Sequence, residues 1–159
     1  MPTDLEMIAR LSLTVILSGL IGLERQVHRR DAGLRTHILV ALGSSLIMLT
    51  SLYVFDIYKD KVALDPARIA AGVITGIGFL GAGTIIREPE RVKGLTTAAS
   101  LWVVSAIGLA VGVGFIKVSI YTTAFVLLVL HLLRYIENRI LNNPKLIKKE
   151  GAHGIQKEA

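Results

Sequence analysis

Residues 95–114 read LTTAASLWVVSAIGLAVGVG, twenty positions without a charged side chain and rich in small residues. A helix rises about 1.5 Å per residue and a hydrocarbon core is roughly 30 Å thick, so about 20 such residues make one crossing. Working outward, residues 7–23, 38–55, 69–86 and 116–133 repeat the pattern at 17 or 18 residues each. In lipid the backbone must satisfy its own hydrogen bonds, so each stretch is expected to be helical. The fold class expected is therefore all-α: a polytopic membrane protein with five transmembrane helices.

The basic residues orient it. Arg25, Arg29, Arg30 and Arg35 lie between the first two stretches, Arg87, Arg91 and Lys93 between the third and fourth, and Arg134, Arg139, Lys145, Lys148, Lys149 and Lys157 after the fifth. That places 13 of the 18 Lys and Arg on one side, against Lys59 and Lys61 in the main opposite loop and Arg10, Arg68 and Lys117 near helix ends. The positive-inside rule makes the crowded side cytoplasmic, with the N-terminus outside and the C-terminus inside. The net charge of +6 is then topogenic and does not form a nucleic-acid face.

With 52% hydrophobic and 19% charged residues, the chain offers no soluble domain large enough for its own core. Residues 1–141 are expected to form the transmembrane domain and 142–159 a disordered basic cytoplasmic tail against anionic headgroups, with no soluble C-terminal domain. The last helix is expected to stop by Asn143, before Pro144. Pro2, Pro66, Pro89 and Pro144 all avoid the apolar stretches, as proline in a membrane helix interior would not. The first stretch lacks the basic leader of a cleavable signal. The chain has no cysteine, which excludes disulfides and thiolate chemistry.

Gly76-Ile77-Gly78-Phe79-Leu80-Gly81 spells a dinucleotide fingerprint, but it lies deep in an apolar stretch without the strand-to-helix turn that presents amides to a pyrophosphate. Gly72, Gly76, Gly78, Gly81 and Gly83 are read as a helix-packing surface, and Gly108 and Gly112 repeat the four-residue spacing in the next helix. A bulky residue at Gly76 is accordingly expected to disrupt assembly more than one at Gly114. The alternative is a helix loosened by glycines to line a polar path.

Glu24 ends the first stretch and Arg35 opens the second, each at the unfavourable pole of its helix dipole, so the two are expected to pair across the short connection. Two readings stay open there: the pair holds the hairpin and snorkels into headgroups, or with His37 it forms a recognition or proton-handling site. On the other side Asp65 caps Pro66 and the third helix and is spaced to meet Arg68. Asp56, Asp60 and Asp65 are balanced by Lys59, Lys61 and Arg68, and no metal site is assigned. Thr96 and Thr97 are expected to cap the fourth helix, with Trp102 one to two turns deeper, and His28 and His131 are read as interfacial. No cofactor is implied, and no arrangement of residues suggests catalysis.

GLIGLERQ, AGLRTHILVALGS, DPARIAAGVITGIGFLGAGTIIRE and VKGLTTAASLWVVSAIGLAVGVG, taken in order, resemble the successive signatures of the bacterial MgtC/SapB family of membrane proteins. The resemblance runs from about Ile16 to Gly114. It implies a five-helix domain of the inner membrane, linked in some members to growth at low magnesium and survival inside host cells and in others to acid tolerance, with some members resembling regulators that restrain the membrane ATP synthase. Carried onto this chain, the polar positions are Glu24, Arg25, Arg35, Asp65, Arg68, Thr97 and Trp102. The chain departs from the pattern at Gly72, where many members have glutamine, and at Thr96, where the virulence-associated branch has asparagine, which tells against a virulence role. The function expected is a non-enzymatic, oligomeric membrane regulator of magnesium or proton homeostasis, acting in the lipid bilayer through a membrane-protein partner such as the ATP synthase. A small ion transporter or channel subunit is the alternative, and intramembrane charge would separate the two.

Overall fold

A computed structural model describes residues 2–61, 63, 65–89 and 91–141. Among them are five helices: α1 (Asp4–Val27), α2 (Leu34–Tyr58), α3 (Ala67–Gly83), α4 (Leu95–Val113) and α5 (Ile116–Leu141). Between α3 and α4 runs a short antiparallel hairpin, β1 (Ile86–Arg87) with β2 (Val92–Lys93). The tail expected from 142 onward lies outside the described residues. The chain divides into two compact units, residues 1–123 and 124–159. The first holds α1 to α4, the hairpin and the opening turns of α5; the second begins within α5.

Four helices are long and apolar enough to cross a membrane: α1, α2, α4 and the 116–136 part of α5. The third is shorter than expected. It ends at Gly83, so that Ile86 stands in a strand instead of closing an 18-residue span, and its 17 residues reach only about 26 Å. The helix stops because Thr84 and Ile85 turn back on it, their backbone N–H groups donating to Gly81 and Ala82 carbonyls at 3.0 and 3.1 Å. Gly94 then brings the returning strand against that turn. Its φ is +85°, and a Cβ there would stand 1.8 Å from the Thr84 carbonyl oxygen.

The interior of the first unit is built from small polar residues. Thr14, Ser18, Ser44, Ser45, Ser51, Ser100 and Ser105 are buried, whereas Phe79, Leu39 and Trp102 face outward, Phe79 at 83% exposure. Soluble folds invert this arrangement; in lipid, tails cover the large side chains and small ones let helices approach. Most of these hydroxyls are satisfied within their own helix. Ser18 donates to the Thr14 carbonyl at 2.6 Å, Ser44 to Val40 at 2.9 Å, and Ser105 to Trp102 at 2.8 Å. They therefore pack as small residues at little polar cost.

Close approach is concentrated at three glycines. A Cβ on Gly22 would lie 2.8 Å from the Leu34 Cα, joining α1 to α2; on Gly108, 2.2 Å from the Ala41 carbonyl oxygen; and on Gly112, 2.8 Å from Met48 Cβ and from the Ser45 carbonyl oxygen, joining α4 to α2. The glycines of α3 behave otherwise. Ala70, Ile77 and Gly81 are its buried positions, and Gly81 rests against Ala98 at 3.6 Å from its would-be Cβ. At about 100° per residue, Gly72, Gly76 and Gly83 fall on the opposite side. Nothing lies within 4 Å of a Cβ at Gly72, Gly76, Gly78 or Gly83. Within the chain, then, the packing surface expected of α3 narrows to Gly81. Within the chain, a side chain meets more at Gly114 than at Gly76, because Gly114 holds φ at +96° to end α4 and a Cβ there would meet the Arg10 guanidinium at 3.0 Å.

Candidate functional site

The end of the first unit where α1 gives way to α2 gathers the polar side chains. His28, Arg29 and Arg30 close α1 by donating backbone N–H groups to the carbonyls of Glu24, Gln26 and Arg25, and Arg29 takes a left-handed φ of 51°. The Gln26 side chain caps the next helix, its Oε1 accepting the Leu34 N–H at 3.1 Å. That fold-back packs one stripe of α2 onto α1. Leu34 and His37 lie against Gly22, and Leu34 and Ile38 against Gly19.

Arg25 is carried inward on the same turn and is 2% exposed. Its Nη2 reaches the Thr97 hydroxyl, itself buried, at 3.4 Å. His37 is fully buried beside it. Its Nδ1 lies 2.8 Å from the Gly33 carbonyl, which can only accept, so that nitrogen carries a hydrogen. Its Nε2 lies 3.0 Å from the Ser100 hydroxyl, whose oxygen is also 2.8 Å from the Thr97 carbonyl. Ser100 has a single hydroxyl hydrogen, so the Thr97 carbonyl and an unprotonated His37 Nε2 compete for it. The result is a connected chain of polar groups from α1 through α4 to α2: Arg25 to Thr97, Thr97 to Ser100, and Ser100 to His37.

The expected Glu24–Arg35 pair does not form among the described residues. Glu24 pairs with His28 instead, Oε1 to Nδ1 at 3.1 Å. The reason is rotational: Leu34, His37 and Ile38 occupy the α1-facing stripe, and Arg35, about 100° around the helix from Leu34, is left exposed. Arg35 therefore stands apart from the cluster containing His37.

Next to Arg25 opens a cavity of about 470 Å³ whose lining includes Arg29, Arg30, Asp31, Arg91, Lys93, Thr96 and Thr97. The hairpin supplies Arg91 and Lys93, and Glu88 holds both, at 2.8 Å to Arg91 Nε and 2.5 Å to Lys93 Nζ. Those hydrogen bonds, Arg91's first, keep the Glu88 carboxyl below its usual range. The α4 N-terminus at Gly94 has no side-chain cap. The caps expected from Thr96 and Thr97 are not made, since Thr97 turns its hydroxyl to Arg25.

At the far end Asp65 and Arg68 share a cavity of about 290 Å³ with Ser51, Val54 and Phe55, but no ion pair joins them. Asp65 Oδ1 accepts the Ala67 N–H at 2.8 Å, and the Ser51 hydroxyl donates to the Pro66 carbonyl, so Asp65 serves the start of α3 as expected of a cap. Trp102 is half exposed and joins neither group. Among the described residues no three His, Asp or Glu side chains come together.

Sequence reasoning missed Ser100, whose three-residue offset from Thr97 was the available signal, and Arg10. Arg10 lies on α1, yet its Nη1 donates to the Gly112 carbonyl at 2.8 Å, placing a cation at the C-terminal pole of α4.

Long apolar helices, an interior of mostly locally satisfied hydroxyls and polar groups gathered at the helix ends define an all-α, multi-pass membrane protein. The MgtC family profile matches residues 11–139, and the chain belongs to that family. It is 48% identical over 139 residues to the Escherichia coli K12 protein named "Putative magnesium transporter YhiD", covering 86% of this chain and 65% of that one. It is 45% identical over 121 residues to "Protein MgtC" of Brucella abortus, covering 75% and 48%, and 42% identical over 144 residues to "Protein MgtC" of Salmonella typhimurium, covering 91% and 58%. The chain thus spans about half to two thirds of the length of these relatives. No solved structure matches it.

Proposed function

We propose that this protein is a non-enzymatic regulator of magnesium or proton homeostasis that acts by contact with a membrane partner, the ATP synthase being the leading candidate from the family resemblance. One observation carries the reading: the ionisable groups sit at the two ends of the first unit, while its interior is filled by hydroxyls bonded mostly to their own helices and by glycine contacts that bring backbones together. Transporters keep ionisable groups near mid-membrane, where charge costs several kcal/mol, for substrate or proton handling. The outward glycines Gly72 and Gly76 border an apolar groove of about 660 Å³ between α2 and α3, which suits contact with another helix and fits a homo-oligomer.

Transport is the second reading, favoured by the printed name of the Escherichia coli relative. Proteoliposome flux separates the two. The regulatory reading expects no saturable uptake of Mg²⁺ or protons by the purified protein, together with co-purification of a membrane partner whose activity falls when this protein is added. Saturable uptake that is lost in a folded Asp65→Asn or Arg35→Gln variant would overturn it.

A further inference from the structure

We infer that the cavity between the end of α1, the hairpin and the start of α4 is a binding site for a phosphate-bearing anion. Its volume of about 470 Å³ lies within the roughly 300–1,000 Å³ of ordinary ligand pockets. Five cations line it: Arg25, Arg29, Arg30, Arg91 and Lys93. Against them stand Asp31 in the same lining, Glu88, which already holds Arg91 and Lys93, and Glu24, next to Arg25 in sequence and also in contact with His28. Five cations thus meet three carboxylates, a positive balance, and cations gathered in a partly enclosed space favour an anion beside them.

The geometry favours phosphate over a lone carboxylate. Guanidinium groups bind phosphate oxygens in a two-pronged fashion, and four of the five cations are arginines. Arg25 is the floor of the site. It is 2% exposed and braced by the Thr97 hydroxyl, so its position is set by packing and not by solvent. Arg29 keeps a left-handed backbone, uncommon for a residue with a side chain. The N–H groups of residues 28 to 30 occupy the last carbonyls of α1, so the negative pole of that helix is covered. The first turn of α4, uncapped by any side chain, adds backbone donors and the positive pole of its helix on the same lining.

Such an anion could come from either of two sources, an anionic phospholipid headgroup or a soluble phosphate compound, and the charge bias predicts that this end faces the cytoplasm, where both are present. The site requires neither of the two functional readings above. It is tested by titrating inorganic pyrophosphate into the full chain in neutral detergent at constant ionic strength, following bound ligand by calorimetry and the thermal midpoint. A second titration adds phosphatidylglycerol to the same micelles.

Saturable binding is expected, weakened at least about tenfold in Arg91→Gln with Lys93→Gln and in Arg29→Gln with Arg30→Gln. These four side chains are exposed, so both variants should fold; without ligand the Arg29 and Arg30 variant should keep the wild-type midpoint, and the Arg91 and Lys93 variant should shift it no more than loss of the Glu88 ion pairs does. Pyrophosphate binding that the lipid leaves undisturbed identifies a soluble phosphate. Displacement by the lipid, or binding of the lipid alone, identifies a headgroup. The inference is overturned if neither ligand binds beyond matched sodium chloride, or if both folded double variants bind as the parent does.

Discussion

Helices α3 and α4 carry the same sequence signal, glycines four residues apart, and the structure puts the two sets in opposite surroundings. Gly108 and Gly112 of α4 are pressed against the backbone of α2, whereas Gly72 and Gly76 of α3 have no neighbour within 4 Å of a would-be Cβ. Small residues permit close approach without saying which helix will approach. In α4 the permission is used inside the chain. In α3 it is left on the surface, beside a groove open to lipid or to another protein.

The sharpest way to break this comparison is to enlarge one glycine from each set. Gly108→Leu should cost about 3 kcal/mol or more, because its Cβ would overlap the Ala41 carbonyl and neither helix can withdraw without losing its contacts. Gly76→Leu should change the stability of the detergent-solubilised monomer by no more than about 0.5 kcal/mol, while lowering any self-association through that face. Denaturant titration beside sedimentation reads both quantities. Equal losses of monomer stability would erase the distinction.

Gly94→Ala should follow at about 2 kcal/mol, since it combines a left-handed backbone with a clash on Thr84, and Gly114→Leu should also exceed Gly76→Leu. A Gly94→Ala protein with the parental thermal midpoint would mean that the hairpin does not pack as described.

Ser100→Ala should cost about 1 kcal/mol by removing the partner of His37 Nε2. Its effect should be less than additive with His37→Phe, because the two share one hydrogen bond. Strict additivity in the double-mutant cycle would separate them.

The smallest effect belongs to the hairpin surface. Glu88 has a folded-state carboxyl titrating below the ordinary value, so its support of Arg91 and Lys93 is fully present above the ordinary carboxylate range and is lost as pH falls through the depressed value. The small difference in thermal midpoint between the parent and Glu88→Gln should therefore be measurable at neutral pH and vanish in strong acid. A difference that persists there would assign it to something other than the ionised carboxylate.

How much of the site could be read in advance differs residue by residue. Arg25, Thr97 and His37 are each legible as polar positions near helix ends that the apolar stretches set; Arg25 meets Thr97, and His37 is linked to them only through Ser100. The pairing of Glu24 with Arg35 was drawn from helix dipoles, which fix which end of a helix a charge prefers but not which way the side chain faces around the axis. Arg10 was read only as a residue near the outer surface, though it closes α4 from a different helix. Nothing local in the sequence says which helix will stand beside Arg10.

The sequence by itself determined that this is a membrane protein of long apolar helices, since crossing a bilayer depends on composition summed along the chain and the four MgtC-like motifs occur in order. It also determined where polar groups must concentrate, because charge is excluded from the apolar stretches. Only the tertiary structure decided that α3 ends at Gly83 and gives way to a hairpin, that Gly108 and not Gly76 is gripped within the chain, and that five cations from two distant segments share one cavity. Those outcomes depend on the rotation and register of one helix against another. They arise from steric fit between surfaces distant in sequence, which no local pattern of residues records.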